Sequence, residues 1–295
     1  MKYQCIAQLE KKAGNTALLC RALGVSRSGY YAAQARAAQP PAHCQLSAQL
    51  RACFYAADKS YGSRRLQKAL LVKGMRVGRY RVRSLMRANN LKPTWKRRFI
   101  HAANSAHRLP VAENLLNRRF DQSSPNQAWV ADITYIHTRR GWLYLAAVMD
   151  LYSRRVVGWA MAPNMTSELV CTALQVAIAH RQPPEGMLVH TDQGSQYASE
   201  AYRSLLTRHR LSGSMSRRGN CWDNAVMERF FLSLKMERVW QRDYANHNEA
   251  VRDISDYIVG FYNSERLHSK LGYLPPTVYE RVMAEKQPNK VSENT

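Results

Sequence analysis

"QAWVADITYIHTRRGWLYLAAVMD", residues 127–150, decides the fold. Its two halves are dense in β-branched and aromatic residues, the types that suit a pleated, partly buried surface. Residues 127–137 and 141–150 therefore read as strands. Only the turn "TRRG" (138–141) bridges them, so they pair as an antiparallel hairpin. "RRVVGWAMA" (154–162) follows a second short connection and extends the meander to three strands. The period then changes. "TSELVCTALQVAIAH" (166–180) reads as an amphipathic helix, and "GMLVHTD" (186–192) as a fourth strand reached across it. A strand reached by a helical crossover runs parallel to its neighbour in the meander. "SEAYRSLLTRH" (199–209) reads as a helix and "LSGSMS" (211–216) as a short fifth strand. "CWDNAVMERFFLSLKMERVW" (221–240) and "NEAVRDISDYIVGFYN" (248–263) each read as one long helix.

The chain upstream has a different texture. Residues 1–121 hold 24 Lys and Arg against 4 Asp and Glu, whereas residues 122–295 hold 20 against 17. A polycationic half beside a nearly neutral one calls for a polyanionic partner, and nucleic acid is the natural one. "GNTALLCRALGVSRSGYYAA" (14–33) reads as helix, turn, helix, with Leu18, Leu19, Ala22 and Leu23 as an apolar stripe. Gly24 ends the first helix and Ser26 caps the second. "AQPPAH" (38–43) is a linker, and three more helices follow over 45–90. The last of them carries Arg79, Arg81, Arg83 and Arg87, which read as a solvated face or, beside this charge asymmetry, as a helix that meets phosphates. The stretch from Lys92 to Asp121 reads as a basic connector with a helix or two. The organisation expected is thus a helical, helix-turn-helix-like segment over 1–44, a basic helix-turn-helix domain over 45–100 and a connector over 101–121. A catalytic core over 122–241, a helical extension over 242–283 and a disordered tail over 284–295 follow.

At 45% hydrophobic residues the chain can fill a sizeable core. No apolar run reaches the length of about 18 residues that a membrane helix needs, and "MKYQCIAQLEKKAGN" is not a secretory leader. A cytoplasmic place is expected, with no membrane partner. Cys5, Cys20, Cys44, Cys53, Cys171 and Cys221 form no C-x-x-C pair, which argues against both a zinc module and a disulfide framework.

Three acids stand where packing gives little reason for them. Asp132 lies inside the first strand, Asp192 ends the fourth, and Glu228 sits beside Met227, Phe230 and Phe231 in a helix. Each alone is most simply a hydrogen-bonded or solvated carboxylate. Together they read otherwise. A meander followed by a crossover strand allows the first and fourth strands to be neighbours; Asp132 and Asp192 would then face each other, and a later helix could lay Glu228 on the same edge. Carboxylates so gathered repel one another, more so when partly buried. A hard divalent cation relieves this, and oxygen-only ligands suit Mg²⁺ or Mn²⁺. A pair of such ions supports in-line phosphoryl displacement. The remaining residues have plainer readings. Asp150 and Asp223 are acids outside the set, Asp150 as a turn cap. Trp222 and Tyr197 are core aromatics before they are base-stacking ones. His190 is either a core histidine or a neighbour of the acids. Gly194 keeps the turn after Asp192 open.

The motifs "WVADITYI", "VHTDQGSQYAS" (189–199) and "DNAVMERFFLSLKME" (223–237) resemble the three acidic motifs of the DDE transposases and retroviral-type integrases. The likeness is greatest to the second-frame transposases of the bacterial insertion sequence three family. Thirty-five residues separate Asp192 from Glu228, the D-35-E spacing of that family, and Lys235 stands seven after Glu228, where the family keeps a basic residue. The resemblance covers 45–100, 120–240 and "YNSERLHSKLGYLPPTVYE" (262–280). It implies an α/β, ribonuclease-H-like core with a mixed five-stranded sheet flanked by helices, preceded by an all-α DNA-binding region. It implies that Asp132, Asp192 and Glu228 bind two Mg²⁺ (or Mn²⁺) ions, that one strand is cut at the ends of a mobile element, and that the freed 3′-hydroxyl attacks a phosphodiester directly. Lys235, Asn224 and Gln193 are then candidates for holding the DNA end. A homo-oligomer on DNA, near the bacterial nucleoid, follows from the need to bring two ends together. The paired His and Cys of the retroviral N-terminal zinc module are missing, and so is a sustained heptad. An upstream-frame product, as partner or fusion, is the expectation that follows. Two other readings remain open: a DNA-binding regulator with an inactive core, and a plain ribonuclease-H-type nuclease.

Overall fold

The computed structural model describes residues 2–13, 15–38, 42–94, 109–218 and 220–286. Two compact units emerge, Met1–Ala56 with Tyr61–Lys92, and Ala57–Ser60 with Pro93–Thr295. The second holds a five-stranded sheet of β1 (Ala128–Thr138), β2 (Gly141–Asp150), β3 (Val156–Ala162), β4 (Leu188–Thr191) and β5 (Ser212–Met215) in the order β3-β2-β1-β4-β5. The meander is antiparallel, β4 joins β1 in parallel, and β5 joins β4 in parallel. This is the mixed ribonuclease-H-like sheet expected from the sequence.

Both faces are covered. One receives α7 (Ser167–Arg181) and α8 (Glu200–Arg208), which pack Leu169, Leu174, Tyr202 and Leu205 against Trp129, Ala131, Val148 and Val189. Helix α7 approaches β3 closely because residue 158 is glycine: a Cβ there would lie 2.4 Å from the Ala173 carbonyl oxygen. Alternate residues Val130, Thr134 and Ile136 are also buried, toward α9 (Ala225–Glu237) and α10 (His247–Asp256).

Both sheet edges are occupied from within the unit, which keeps them from pairing with another chain. At β3, the Asn263 side chain accepts from Val156 N and donates to Val156 O, at 3.0 and 2.9 Å, as a strand would. At β5, Ser214 Oγ accepts the backbone N–H groups of Leu115 and Leu116 at 3.0 and 3.3 Å. The described part of the connector, 109–121, is thus not helical but laid along the sheet edge; residues 101–108 lie outside the described residues. Ser214 then has only its own proton to give, and it gives it to His190 Nδ1 at 2.8 Å. Ser216 Oγ donates to the Thr191 carbonyl and so accepts from His190 Nε2, both at 3.2 Å. The circuit closes only around a neutral imidazole protonated on Nε2. His190 is a structural tie between β4 and β5.

The C-terminal region belongs to the same unit. The stretch 221–240 is not one helix. A 3₁₀ turn (Cys221–Asn224) precedes α9, and Arg238, at φ −135°, ends it before a second 3₁₀ turn. Likewise 248–263 is α10 continued by a π-helix over Tyr257–Asn263, whose wider turns send Tyr257, Ile258, Phe261, Tyr262 and Asn263 all inward. Arg266 forms a buried two-bond pair with Glu237, at 2.8 and 2.6 Å, and Tyr257 Oη donates to the same carboxylate at 2.7 Å. The last helix, α11 (Pro276–Lys286), begins within the expected helical extension and runs past residue 283 into the stretch expected as a tail; residues 287–295 lie outside the described residues. Its Glu280 takes two bonds from Arg181, one from Arg155 and one from Ser153.

The first unit is all helical. It contains α1 (Lys2–Ala13), α2 (Thr16–Ala22), α3 (Arg27–Ala38), α4 (Ala42–Ala56), α5 (Ser63–Val72) and α6 (Arg79–Ala88). Gly24, at φ +61°, ends the turn after α2, and Ser26 Oγ accepts from Gly29 N at 3.1 Å. The seam of this pair runs through Ile6, Cys20 and Tyr30, while Leu18, placed on the apolar stripe by the sequence reading, faces solvent. Adding α1 supplies the partner that redirects the buried face. No described helix is long and apolar enough to cross a membrane.

Arg266→Met strands a buried carboxylate and is expected to lower the unfolding free energy by about 3–5 kcal/mol in urea titrations, while pairing it with Glu237→Gln recovers most of the loss. The histidine tie is tested by pH. Burial pushes the His190 pKa down to about 4 from an ordinary 6.5. The unfolded chain therefore binds the proton first: the contribution of the neutral ring is complete above about pH 6.5 and is lost as pH falls toward 4, roughly 3 kcal/mol in all. The stability gap between the native chain and His190→Asn should narrow across that window; a constant gap would refute the neutral-imidazole circuit.

Candidate active site

Asp132 sits in the middle strand, opposite Ala147 of β2. On its other side the parallel register pairs Val130 with His190, so two residues further on Asp132 stands level with Asp192, where β4 has just ended. Asp132 Oδ1 accepts the Ile133 N–H at 2.8 Å. Asp192 Oδ1 accepts the Gly194 N–H at 2.9 Å. A Cβ on residue 194 would lie 3.0 Å from that oxygen, so the glycine serves to let the turn fold back onto the carboxylate, a closer role than keeping the turn open.

The third acid arrives on α9. The electrostatic surroundings of Asp132 contain Asp192, Glu228 and Lys235 together. Burial raises the Asp132 carboxyl well above the usual range, and Asp192 and then Glu228 push it the same way; the Ile133 N–H and Lys235 oppose them. Desolvation also raises Glu228. Desolvation lowers Lys235, against the pull of Asp132. Lys235 Nζ rests over the Tyr135 ring, 4.2 Å from its centroid. The structure therefore brings Asp132, Asp192, Glu228 and Lys235 into one field. Among the described residues no three His, Cys, Asp or Glu side chains close into a ready-made metal cage.

Asn224 joins α9 to this spot. It is only 4% exposed, and its Nδ2 donates to the carbonyl of Ala131 beside Asp132 at 3.3 Å. Its buried Oδ1 has no hydrogen-bond partner among the described residues. Tyr197 is buried in the core, as expected, with its hydroxyl in the field of Asp132 and Asp192. Gln193 points elsewhere, donating to the Ser216 carbonyl at 2.9 Å.

The acids outside the set are committed to other partners. Asp223, fully buried, is gripped by Arg217 through two bonds of 2.9 Å, by Arg118 at 2.8 Å and by Asn114 at 2.9 Å. Arg217 first, with the other donors, holds its carboxyl far below the usual range. Asp150 accepts Asn126 N and Tyr152 N, both at 2.7 Å. Trp222 overturns its core reading: at 69% exposed it stands in solvent, because Asp223 turns inward and the 3₁₀ turn sends its neighbour out. The sequence reading also missed Tyr135, whose signal was an aromatic on the outward phase of β1. In the first unit, Arg79, Arg81, Arg83 and Arg87 are all exposed, since Val82, Leu85 and Met86 turn the opposite face of α6 inward.

Known proteins share this organisation. Residues 122–221 match the integrase core domain model, 209–276 match a second integrase core domain model, and 43–99 match an HTH-like domain model. A 31 kDa protein of insertion element IS600 from Shigella sonnei is 42% identical over 88% of this chain and 97% of its own length. Transposase InsF of insertion sequence IS3A from Escherichia coli K12 is 41% identical over 95% of this chain and 98% of its own. A simian T-cell lymphotropic virus intasome chain aligns at a TM-score of 0.48 and 18% identity over 76% of this chain and 72% of its own. The HTLV-2 integrase catalytic core domain in complex with magnesium aligns at a TM-score of 0.43 and 17% identity, over 54% and 98%. By its near full-length likeness to InsF, the chain belongs to the IS3-family transposases, enzymes built on an integrase core.

Proposed function

We propose that Asp132, Asp192 and Glu228 are the catalytic carboxylates, and that they hold Mg²⁺ or Mn²⁺, two ions in the full site. One observation carries the reading: the parallel register sets Asp132 of β1 level with Asp192 at the end of β4, and Glu228 and Lys235 of α9 stand in the same electrostatic surroundings. The donor set is all oxygen, as hard divalent cations prefer, and the buried Asn224 Oδ1 adds an orphaned oxygen near it. When bound, such ions activate an attacking oxygen and stabilise the leaving one in an in-line phosphoryl displacement. The residues themselves have distinct tasks. Asp132 and Asp192 fix the position of the charge from two adjacent strands. Glu228 completes the set from α9. Lys235, resting on Tyr135, meets a phosphate of the bound strand, and Asn224 steadies the start of α9 against β1.

The substrate is DNA at the ends of the mobile element, cut on one strand and then joined by its 3′-hydroxyl to a target. The exposed arginine face of α6 supports the binding half of this reading, as a sequence-tolerant grip on phosphates. Such a reaction puts the protein on DNA, at the bacterial nucleoid. It needs two ends together, and hence at least two copies, with an upstream-frame product as partner or fusion. The domain limits that serve it are a basic helix-turn-helix domain over 45–100 and a catalytic core over 122–241.

Asp132→Asn, in a form that cuts, is expected to lower metal-dependent cleavage of element-end DNA by at least about a thousandfold, the scale of losing a transition-state charge stabiliser. Far-UV circular dichroism should be unchanged. Full activity in that variant would overturn the assignment, and hydrolysis with no strand joining in the native enzyme would favour a plain nuclease. Separately, each alanine at Arg79, Arg81, Arg83 or Arg87 that removes a phosphate contact should flatten the slope of log affinity against log salt by about one. An unchanged slope in all four would remove α6 from the interface.

A further inference from the structure

Three aromatic rings stand in a row on the outward side of the β1–β2 hairpin. Tyr135 is 55% exposed and Trp142 48% exposed, and His137 is exposed beside them. Trp142 lies opposite His137 in the register and meets both neighbours edge to face, each at 5.2 Å between centroids. The row is ordered by these contacts in the geometry aromatic pairs prefer. It is nonetheless uncovered: β4 ends at Thr191, so among the described residues no strand flanks this end of β1 on that side. Lys235 stands over Tyr135, joining the row to the acids, because the same lysine lies in the field of Asp132.

Rings beside a cation are the chemistry of a nucleobase with its phosphate. Aromatic faces stack with any base, and a nearby cation takes the backbone charge. Tyr135 and Asp132 are three residues apart on one strand, so their side chains leave opposite faces of β1, and Lys235, over the Tyr135 ring and in the field of Asp132, is the link that carries the row to the acids across the strand end. A stacked face is available only on a base that has left its pair. Resting on the catalytic reading above, we propose that Tyr135 and Trp142 form a stacking platform for an unpaired nucleobase within a few nucleotides of the scissile phosphate. The hairpin thereby favours frayed or overhanging DNA ends over closed duplex, whatever their sequence, and His137 borders the platform.

The test uses the full chain in EDTA, where no cutting occurs, and fluorescence anisotropy with two probes. One is a blunt duplex; the other is the same duplex with a short thymidine overhang. The native chain should prefer the overhang. Trp142→Ala and Tyr135→Ala should each weaken overhang binding by on the order of tenfold while leaving blunt binding within about twofold. Trp142→Phe should keep most of the preference, and 2-aminopurine in the overhang should be quenched by the native chain and not by Trp142→Ala. Circular dichroism checks that the hairpin is intact. Equal losses on both probes, or no loss on either, would overturn the platform. So would a drop in oligomeric size with overhang binding intact, which would make the row a contact between copies. The catalytic reading fails separately: it falls if Asp132→Asn still cuts, irrespective of how the two probes compare.

Discussion

Like charges held together against their repulsion are the constraint on which the catalytic unit turns. Asp132 lies on the central strand, bonded to β2 along its length and to β4 just below, so it cannot swing away without breaking the sheet. Asp192 is tethered by the Gly194 amide at the point where its strand gives out. Glu228 rides on α9, which Asn224 pins to the β1 backbone and Phe230 anchors through its edge-on contact with Tyr262, 4.7 Å between centroids. Each acid is thus fixed by a different element, and relaxing any one of them means disturbing packing elsewhere. Preorganisation of this kind is what lets a site meet developing charge without moving at the moment of reaction.

The acids that meet arginines show the alternative the fold could have taken. Asp223 and Glu280 are each met by two arginines, and Glu237 by Arg266 and Tyr257. These groups join distant segments: Asp223 ties the connector to the entry of α9, and Glu280 ties the last helix to the sheet. Removing either partner of such a pair strands a charge, so they specify the arrangement more than they add stability. Asp223 lies only five residues before Glu228, yet its carboxyl moves down where those of Asp132 and Glu228 move up. Opposite environments separate a structural acid from a candidate catalytic one.

That separation marks how far the sequence could be read. The five strands, the antiparallel meander and a parallel fourth strand followed from β-rich runs, short turns and one helical crossover, all local signals, while the place of β5 beside β4 came from the structure. That the three acids and Lys235 lie near one another was expected from spacing and resemblance, and their catalytic role is the proposal made on that nearness. What escaped was decided by long-range partners. The helix over 221–240 broke because Asp223 answers arginines at 118 and 217, and the resulting turn exposes Trp222. The described part of the connector, 109–121, is not helical because it lies along β5, with Ser214 taking the amides of Leu115 and Leu116. Leu18 lost its place in the core because α1 supplied a different seam. His190, two residues from Asp192 in sequence, proved committed to Ser214 and Ser216 on both nitrogens. No periodicity encodes such pairings.

The uneven charge acquires a physical sense from the same constraint. A catalytic unit that gripped DNA mainly through its own arginines would place guanidinium groups among the candidate acids, and the two would pair with each other before either met a ligand. The chain keeps 24 of its 44 Lys and Arg in residues 1–121 and nearly balances the rest. Where a cation does stand near the acids, at Lys235, an aromatic face holds it. Affinity for the polyanion, with its steep dependence on salt, can then reside in the basic helices, away from the acid cluster. Separating binding charge from catalytic charge along the chain resolves a conflict that any acid-based enzyme acting on a polyanion must face.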